Sequence, residues 1–393
     1  MRFIYLRWLN AGLLCLAMLV GPMVRSAYAG PPSAVLAQQR GRACQPDQRQ
    51  ASGALYRFCI PARNWNGELV VFAHGFVSPT RRVAIPEEQL TLNGISLPDT
   101  VTALGYAFAV TSYSVNGLAV KEGAADVIDL VGLFKAKYPQ TRHVYLMGFS
   151  EGALITALAL EQVSAFDGGL AACGPVGDFG MQIEHIGNFR VLFDYYFPKL
   201  LAGSAISVPR SLLNNFDPVF NARIAPQLVK PANAISLTQL LNVSGISLPM
   251  TSTALIKTTI RELLWYNVHS TADGIAKLSG QPFDNMRRVY RGSLNDGALN
   301  AHVQRFKADG TALARMAVGY TPQGALRVPL VTLHTLHDTL VPYQHEVLFR
   351  QRVVQQGRMA RHMHVAANGY GHCGFSVDDM QEALSQLQQR VQE

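Results

Sequence analysis

Residues 143–152 read HVYLMGFSEG, and this stretch decides the fold. His143 to Met147 has the composition of a buried strand, and helical spacing of apolar residues begins at Ala153. Between them, Gly148-Phe149-Ser150-Glu151-Gly152 forms a G-x-S-x-G motif. A nucleophilic serine on such a strand-to-helix turn has a strained backbone, and glycines on both sides remove the Cβ clashes that would block it. The motif predicts that Ser150 is a nucleophile. The alternative is a glycine-rich turn whose serine only caps the helix.

Strand and helix patterns alternate on both sides of this turn. Strands are predicted at 54–60, 68–73, 106–111 and 169–173, and helices at 99–104, 127–138 and 153–163. This alternation is typical of βαβ units. We therefore expect an α/β fold with a mostly parallel sheet.

The alternation stops after residue 176 and returns near residue 325. The pattern between them indicates helices at 182–197, 235–243, 253–268 and 300–316. Beyond them it indicates strands at 328–333 and 362–367, and helices at 343–356 and 377–391. We expect a core of residues 54–176 and 325–393, and a helical insertion, residues 177–324, that forms a lid over the carboxyl edge of the sheet. Residues 30–53 are expected to be an irregular N-terminal leader.

Two polar residues follow the late strands. Asp338 comes after the strand that closes the insertion, and His372 lies in the glycine-rich loop after the last strand. Ser150, Asp338 and His372 have the chain order of a nucleophile, an acid that orients the base, and a general base. We expect the backbone N–H groups of Phe76 and Glu151 to form the oxyanion hole.

Other histidines and acids near these motifs are weaker candidates. We expect the histidines to pack or to have structural roles, and the acids lie on predicted helices or in the insertion. They are His74, His334, His337, His345, His362, His364, Asp296, Asp309 and Glu346. The Glu151 side chain has the position of a first-turn acid that the helix dipole favours.

With these motifs, residues 54–176 and 325–391 resemble a secreted α/β-hydrolase of the serine carboxylesterase or lipase type. The resemblance implies that Ser150 attacks a carbonyl, His372 takes and returns the proton, and Asp338 holds the imidazole. It also implies an acyl-enzyme and no cofactor. Tannase and feruloyl esterase relatives pair a cysteine before the serine with one after the histidine. Here Cys373 follows His372 but Phe149 precedes Ser150, so half of that arrangement is absent.

The first 29 residues have the parts of a secretory signal peptide. Arg2 and Arg7 form a basic start, residues 9–20 are apolar, and Ala27-Tyr28-Ala29 is a small-x-small cleavage site. The apolar run is too short to cross about 30 Å of hydrocarbon. The sequence therefore predicts a secreted or periplasmic protein without a membrane span after cleavage; an uncleaved anchor is the alternative.

Four cysteines remain after this cleavage, and an even number in an exported protein favours disulfides. Cys44–Cys59 is the local choice, closing a loop of about 15 residues worth roughly 3 kcal/mol of chain entropy. Cys173 and Cys373 are then either a second disulfide that braces the histidine loop or two buried free thiols.

The composition argues against several functional classes. With 49% hydrophobic and 15% charged residues, the chain can bury a large core. Part of the net charge of +8 comes from arginines in the signal peptide, and no basic cluster indicates nucleic-acid binding. No HExxH or CxxC motif occurs, so no metal site is expected.

We expect an enzyme that cleaves a small-molecule or polymeric carboxylic ester. A peptidase or amidase on the same fold, and a non-catalytic binding protein, are the alternatives. Aromatic clusters at 192–197 and 263–266 either line an acyl or aryl pocket or fill the core of the insertion. The acyl chain length and the oligomeric state stay open.

Overall fold

The computed structural model describes residues 42–92, 94–249 and 252–392. The predicted signal peptide, residues 1–29, lies outside these ranges. The described strands are β1 (Arg42–Cys44), β2 (Gln48–Arg49), β3 (Leu55–Pro61), β4 (Glu68–Ala73), β5 (Thr91–Leu92), β6 (Ile95–Ser96), β7 (Ala107–Thr111), β8 (His143–Phe149), β9 (Gly168–Ala172), β10 (Leu330–His337) and β11 (His362–Tyr370).

The same ranges contain α-helices of very different length. They are α1 (Leu97–Ala103), α2 (Val120–Lys137), α3 (Glu151–Gln162), α4 (Phe179–Tyr196), α5 (Arg210–Leu213), α6 (Phe216–Val219), α7 (Ala234–Val243), α8 (Thr253–Leu278), α9 (Asp296–His302), α10 (Gly310–Gly319), α11 (Gln344–Gln355) and α12 (Val377–Gln392).

One large sheet organises the chain, with neighbouring strands in the order β1-β3-β7-β4-β8-β9-β10-β11. The pairs from β7 to β11 are parallel, whereas β3 pairs antiparallel with β1, β2 and β7. Each parallel pair needs a crossover connection, which the helices between the strands supply. The expected α/β fold with a mostly parallel sheet is confirmed.

Helices cover both faces of the sheet, so the central strands are buried on both sides. Leu130 of α2, Leu154 of α3 and Phe349 of α11 belong to the apolar core on one face. Val101 of α1 and Leu387 of α12 belong to the core on the other face. This double burial explains why β4, β7 and β8 are apolar along nearly their whole length.

Between β9 and β10 the described residues contain helices α4 to α10 and no strand of the sheet. These helices have an apolar core of their own, which includes Phe193, Leu263 and Phe283. Leu340 and Val341, from the loop after β10, join the same core. The segment is therefore packed against the loop that carries Asp338.

Two local predictions were wrong. The predicted helix 300–316 is two helices, α9 and α10, because the chain between them is tied to a neighbouring loop. Phe306 donates its N–H to the Asn285 side chain and accepts the Asn285 N–H, which holds the intervening residues out of the helix. Part of the expected irregular leader, residues 42–49, forms β1 and β2 along β3, with Cys44 directly opposite Cys59.

Cys44 and Cys59 are joined by a disulfide, as are Cys173 and Cys373. Two such bonds are typical of proteins from oxidising compartments. None of the helices in the described ranges combines the length and the apolarity needed to cross a bilayer.

Candidate active site

Ser150 occupies the turn between β8 and α3. Its backbone has φ 55° and ψ −119°, a conformation that costs energy for a residue with a Cβ. The neighbouring backbone leaves no space for side chains at the two glycines of the motif. A Cβ on Gly148 would lie 2.0 Å from the Gly152 carbonyl oxygen, and a Cβ on Gly152 would lie 2.0 Å from the Ala73 carbonyl oxygen. The turn is thus packed directly against the end of β4.

The structure brings the three predicted triad residues into one hydrogen-bonded chain. His372 Nε2 is 2.8 Å from Ser150 Oγ, and His372 Nδ1 is 2.8 Å from Asp338 Oδ2. The residues come from the carboxyl ends of three parallel strands, β8, β10 and β11. This geometry suits transfer of the serine proton to the imidazole.

Asp338 is fixed from its other side by backbone amides. Its Oδ1 accepts the N–H groups of Leu340 and Val341, both at 2.9 Å. Burial alone would raise the pKa of Asp338, but the neighbouring His372 and His334 and the Val341 N–H hold it below its usual value. Asp338 therefore stays ionised and aimed at His372.

The Cys173–Cys373 disulfide ties the His372 loop to the end of β9. Both cysteines have positive φ, 51° and 54°, so each turns the chain sharply where the bond is made. Cys373 directly follows His372, and the N–H of Ser150 donates to the carbonyl of Ala172, next to Cys173. The bond thus restrains the base relative to the nucleophile.

The two predicted oxyanion donors lie on either side of the serine. Glu151 begins α3, and Phe76 follows Gly75, whose Cβ position would be 3.2 Å from Ser150 Cβ. The Gln89 side chain clamps this second loop: its Oε1 accepts the Gly75 N–H at 2.7 Å, and its Nε2 donates to the Phe76 carbonyl at 3.2 Å. Gln89 is a positioning residue that the sequence did not indicate.

A cavity of about 630 Å³, part of it open to solvent, lies next to Ser150. Its wall is largely apolar and comes from α3, α4, α8 and the loops around them. The apolar lining includes Leu118, Leu154, Phe179, Ile183, Ile186 and Val341. An apolar lining beside a nucleophile is typical of a small-molecule site.

Helix α8 carries two side chains to the triad. Tyr266 lines the cavity beside Ser150 and lies against Phe76, with ring centroids 5.5 Å apart. Glu262, one turn earlier, lies near His372. Burial raises the pKa of Glu262, and the electrostatic interaction with His372 lowers it by a smaller amount. Neither carries a motif, so only the fold could bring them to the site.

The aromatic clusters of the insertion divide between core and site. Leu192, Phe193 and Phe197 are buried in the core of the insertion, as are Leu263 and Leu264. Of the residues in these two clusters, Tyr266 alone is among the described residues that line the cavity. The neighbouring Trp265 packs against Phe76, with ring centroids 5.9 Å apart.

Glu151 is the first-turn acid of α3 that its position indicated, but it is buried. Its side chain is 7% exposed, lines the cavity and accepts the Ala119 N–H at 2.6 Å. Burial is the main cause that raises the pKa of Glu151 to about 8. The buried carboxyl group therefore takes up a proton at a much higher pH than an ordinary glutamate does.

His74 and His337 have structural roles. His74 is buried, stacks on Tyr113 with ring centroids 3.9 Å apart, and contacts the Gly75 carbonyl; burial lowers the pKa of His74 to about 4. His337 stacks on Tyr370.

Within the described ranges, one cluster has the spacing of metal ligands: Cys173, His372 and Cys373. The two sulfurs are bonded to each other, and the ring nitrogens of His372 contact Asp338 and Ser150. These residues do not form a free ligand set.

No protein-family model matches the chain, and no curated protein matches its sequence. Among solved structures, feruloyl esterase B from Aspergillus oryzae is similar at a TM-score of 0.50 and 13% identity, over 84% of this chain and 73% of that one. The chain has the α/β-hydrolase fold.

Two further structures are similar at lower TM-scores. An esterase from Pyrococcus furiosus reaches 0.47 at 13% identity, over 93% of this chain and 94% of that one. An acylaminoacyl peptidase from Pyrococcus horikoshii reaches 0.45 at 12% identity, over 90% of this chain. This chain spans only 42% of that peptidase's length.

The packing of the α/β-hydrolase turn yields a stability prediction. Gly152→Ala forces a methyl group onto the Ala73 carbonyl and should lower the free energy of unfolding by about 1–3 kcal/mol. Gly132→Ala is the matched control, because Gly132 lies on the exposed side of α2 with no atom within 4 Å of its Cβ position. It should raise stability by about 0.5–1 kcal/mol. Denaturant unfolding measures the free energy of unfolding of both variants. A Gly152→Ala protein that is as stable as the wild type would contradict the packing argument.

Proposed function

We propose that this chain is an exported serine hydrolase that cleaves carboxylic esters. The observation that carries the proposal is the hydrogen-bonded chain from Ser150 through His372 to Asp338, with 2.8 Å at each step. The strained backbone of Ser150 and the apolar cavity beside it support the same function.

In the proposed reaction, Ser150 Oγ bonds to the ester carbonyl carbon while its proton passes to His372 Nε2. The tetrahedral intermediate then expels the alcohol, which takes that proton. Water attacks the acyl-enzyme in the same way: its proton goes to His372 and returns to Ser150 Oγ as the acid leaves. Asp338 accepts the hydrogen bond of His372 Nδ1 throughout and stabilises the imidazolium.

The negative charge of both intermediates develops on the former carbonyl oxygen. In the proposal, the N–H groups of Phe76 and Glu151 donate to this oxygen. Among the described residues neither N–H has a protein acceptor, so both are free to bind it. The amino-terminal end of α3 adds its partial positive charge.

The cavity supports an apolar acyl group. A second cavity adjoins it, and the two share Ile183 and Ile186 of α4 and Ser270 and Gly274 of α8. Tyr266 and Gly274 are separated along α8 by about 12 Å at 1.5 Å per residue. An extended chain of roughly ten carbons, with bonds of about 1.5 Å, covers that distance. We therefore propose esters of medium-length acyl chains, which enter the second cavity between these four residues.

Export is proposed on separate grounds. The two disulfides suit an oxidising compartment, and residues 1–29 have the pattern of a signal peptide.

The function is tested with purified mature protein and p-nitrophenyl esters of graded acyl length. The wild type should hydrolyse them, and Ser150→Ala should lose activity by at least about 10³-fold because the nucleophile is gone. Ser244→Ala, outside the cavity lining, is the matched control and should keep full activity.

Aminoacyl amides and proline-containing peptides are assayed beside the esters. Cleavage of amides without ester turnover moves the function to a peptidase. A folded wild type that cleaves neither class contradicts an enzymatic function.

The acyl site is tested by Gly274→Leu. A Cβ at Gly274 has no atom within 4 Å, so the side chain can start without a clash, and we expect leucine to occupy the passage between the cavities. We expect kcat/KM for decanoyl esters to fall by at least about tenfold, equivalent to about 1.4 kcal/mol, while acetyl esters are hydrolysed as before.

Gly132→Leu, on the exposed side of α2, controls for the change of glycine to leucine. It should leave the chain-length preference unchanged. A Gly274→Leu enzyme with the wild-type preference, or with equal losses on all esters, contradicts the proposed path of the acyl chain.

A further inference from the structure

A second buried pair of ionisable groups lies behind Asp338. His334, on β10, is fully buried, and its Nδ1 is 3.2 Å from Glu346 Oε1. Its Nε2 is 2.9 Å from the Val341 carbonyl oxygen and 3.7 Å from Asp338 Oδ2. That carboxylate oxygen is the one that contacts His372.

Both nitrogens of His334 therefore face oxygen atoms. The Val341 carbonyl oxygen can only accept, and so can the carboxylate of Glu346, which His334 and His364 keep ionised. A neutral imidazole has one N–H, so one of these contacts would be left without a hydrogen. His345, nearby and equally buried, shows the contrast: its Nδ1 faces the Asp178 N–H and its Nε2 faces the Gln182 side-chain oxygen. One donor and one acceptor suit a neutral ring; two acceptors suit an imidazolium.

We propose that Glu346 holds His334 as an imidazolium and that His334 is a positioning residue. Its positive charge keeps Asp338 ionised and offsets part of the negative charge of Asp338 that acts on His372. The inference rests on the proposed function, since it assigns a role within the same triad.

The electrostatic balance agrees with this geometry. Burial would lower the pKa of His334, but Glu346 and Asp338 raise it above its ordinary value. Burial would raise the pKa of Glu346, yet His334 and His364 lower it well below its usual range. Both directions favour the ionised pair, and the cation lies nearer to the triad than the anion.

Charged and titratable groups face this pair and the triad from every packed element. From α11 and the loop before it come Tyr343, His345 and Glu346; from β11 and its following loop, His362, His364 and His372; from α4, His185; and from α8, Glu262 and Tyr266. Within this set, His334 alone places a ring nitrogen within 4 Å of both Glu346 and Asp338.

Removing the cation changes the charge around the base. Without His334, the negative charges of Asp338 and Glu346 are no longer offset, so the surroundings of His372 become more negative and its protonation becomes easier. Because the base must be neutral to accept the serine proton, activity is then lost at a higher pH during acidification.

The test compares the pH dependence of kcat/KM for the wild type, His334→Gln and His362→Gln. Glutamine keeps a donor but carries no charge. In His334→Gln the acid limb should move to higher pH by about half a unit or more. KM should be unchanged, since His334 does not line the cavity.

His362→Gln is the matched control. His362 is also buried and contacts Thr332, but it touches neither Asp338 nor Glu346. The acid limb of its pH profile should therefore not move.

An active His334→Gln enzyme whose acid limb stays in place, or moves to lower pH, overturns the role of His334. That result differs from failure of the ester-hydrolase proposal, in which the wild type itself has no turnover.

A measurement on the wild type covers the case in which His334→Gln fails to fold. Nitrogen-15 NMR of histidine-labelled protein should show one ring with both nitrogens protonated at about pH 7.5, one unit above the ordinary pKa of histidine. His345→Gln should keep this signal, and Glu346→Gln should lose it. Only neutral histidines at that pH overturn the inference.

Discussion

The contact between Gly152 and the Ala73 carbonyl is the constraint on which the site depends. The turn after β8 packs so closely against the end of β4 that no side chain fits at position 152. Ser150 is held in its positive-φ conformation by this packing, and its side chain projects above the carboxyl edge of the sheet. The same contact sets the loop with Gly75 and Phe76 beside the first residue of α3. The nucleophile and both proposed oxyanion donors are therefore positioned by the close approach of the start of α3 to the end of β4.

The other half of the site is held by different means. His372 lies in a loop outside the sheet, and the Cys173–Cys373 disulfide ties that loop to the strand next to β8. Asp338 is aligned by two backbone amides on one oxygen and by His372 on the other. Behind it, the contacts of His334 with Glu346 supply a charge that the triad alone lacks. Main-chain packing positions the nucleophile, whereas a covalent bond and buried charges position the base and acid.

The sequence predicts the parts of this arrangement that depend on local pattern. The G-x-S-x-G turn, the central strands and the order of Ser150, Asp338 and His372 follow from short motifs and periodicity. The structure of the insertion is harder to predict, because its contacts join segments that are far apart in the chain. Tyr266 reaches Ser150 across the helical segment, Asn285 breaks a predicted helix by binding Phe306, and Glu346 lies one turn from helix residues that face solvent. Nothing in the local sequence of these residues distinguishes them from their neighbours.

Labelling with a fluorophosphonate tests the central claim, that this turn creates an activated serine. The reagent reacts with a serine only when a neighbouring base removes its proton, so it reports activation without any assumption about the substrate. We expect one phosphonate per chain, located by mass spectrometry on the peptide that contains Ser150, and its loss in His372→Ala. A folded wild type that takes up no label, or carries it on another serine, contradicts the account.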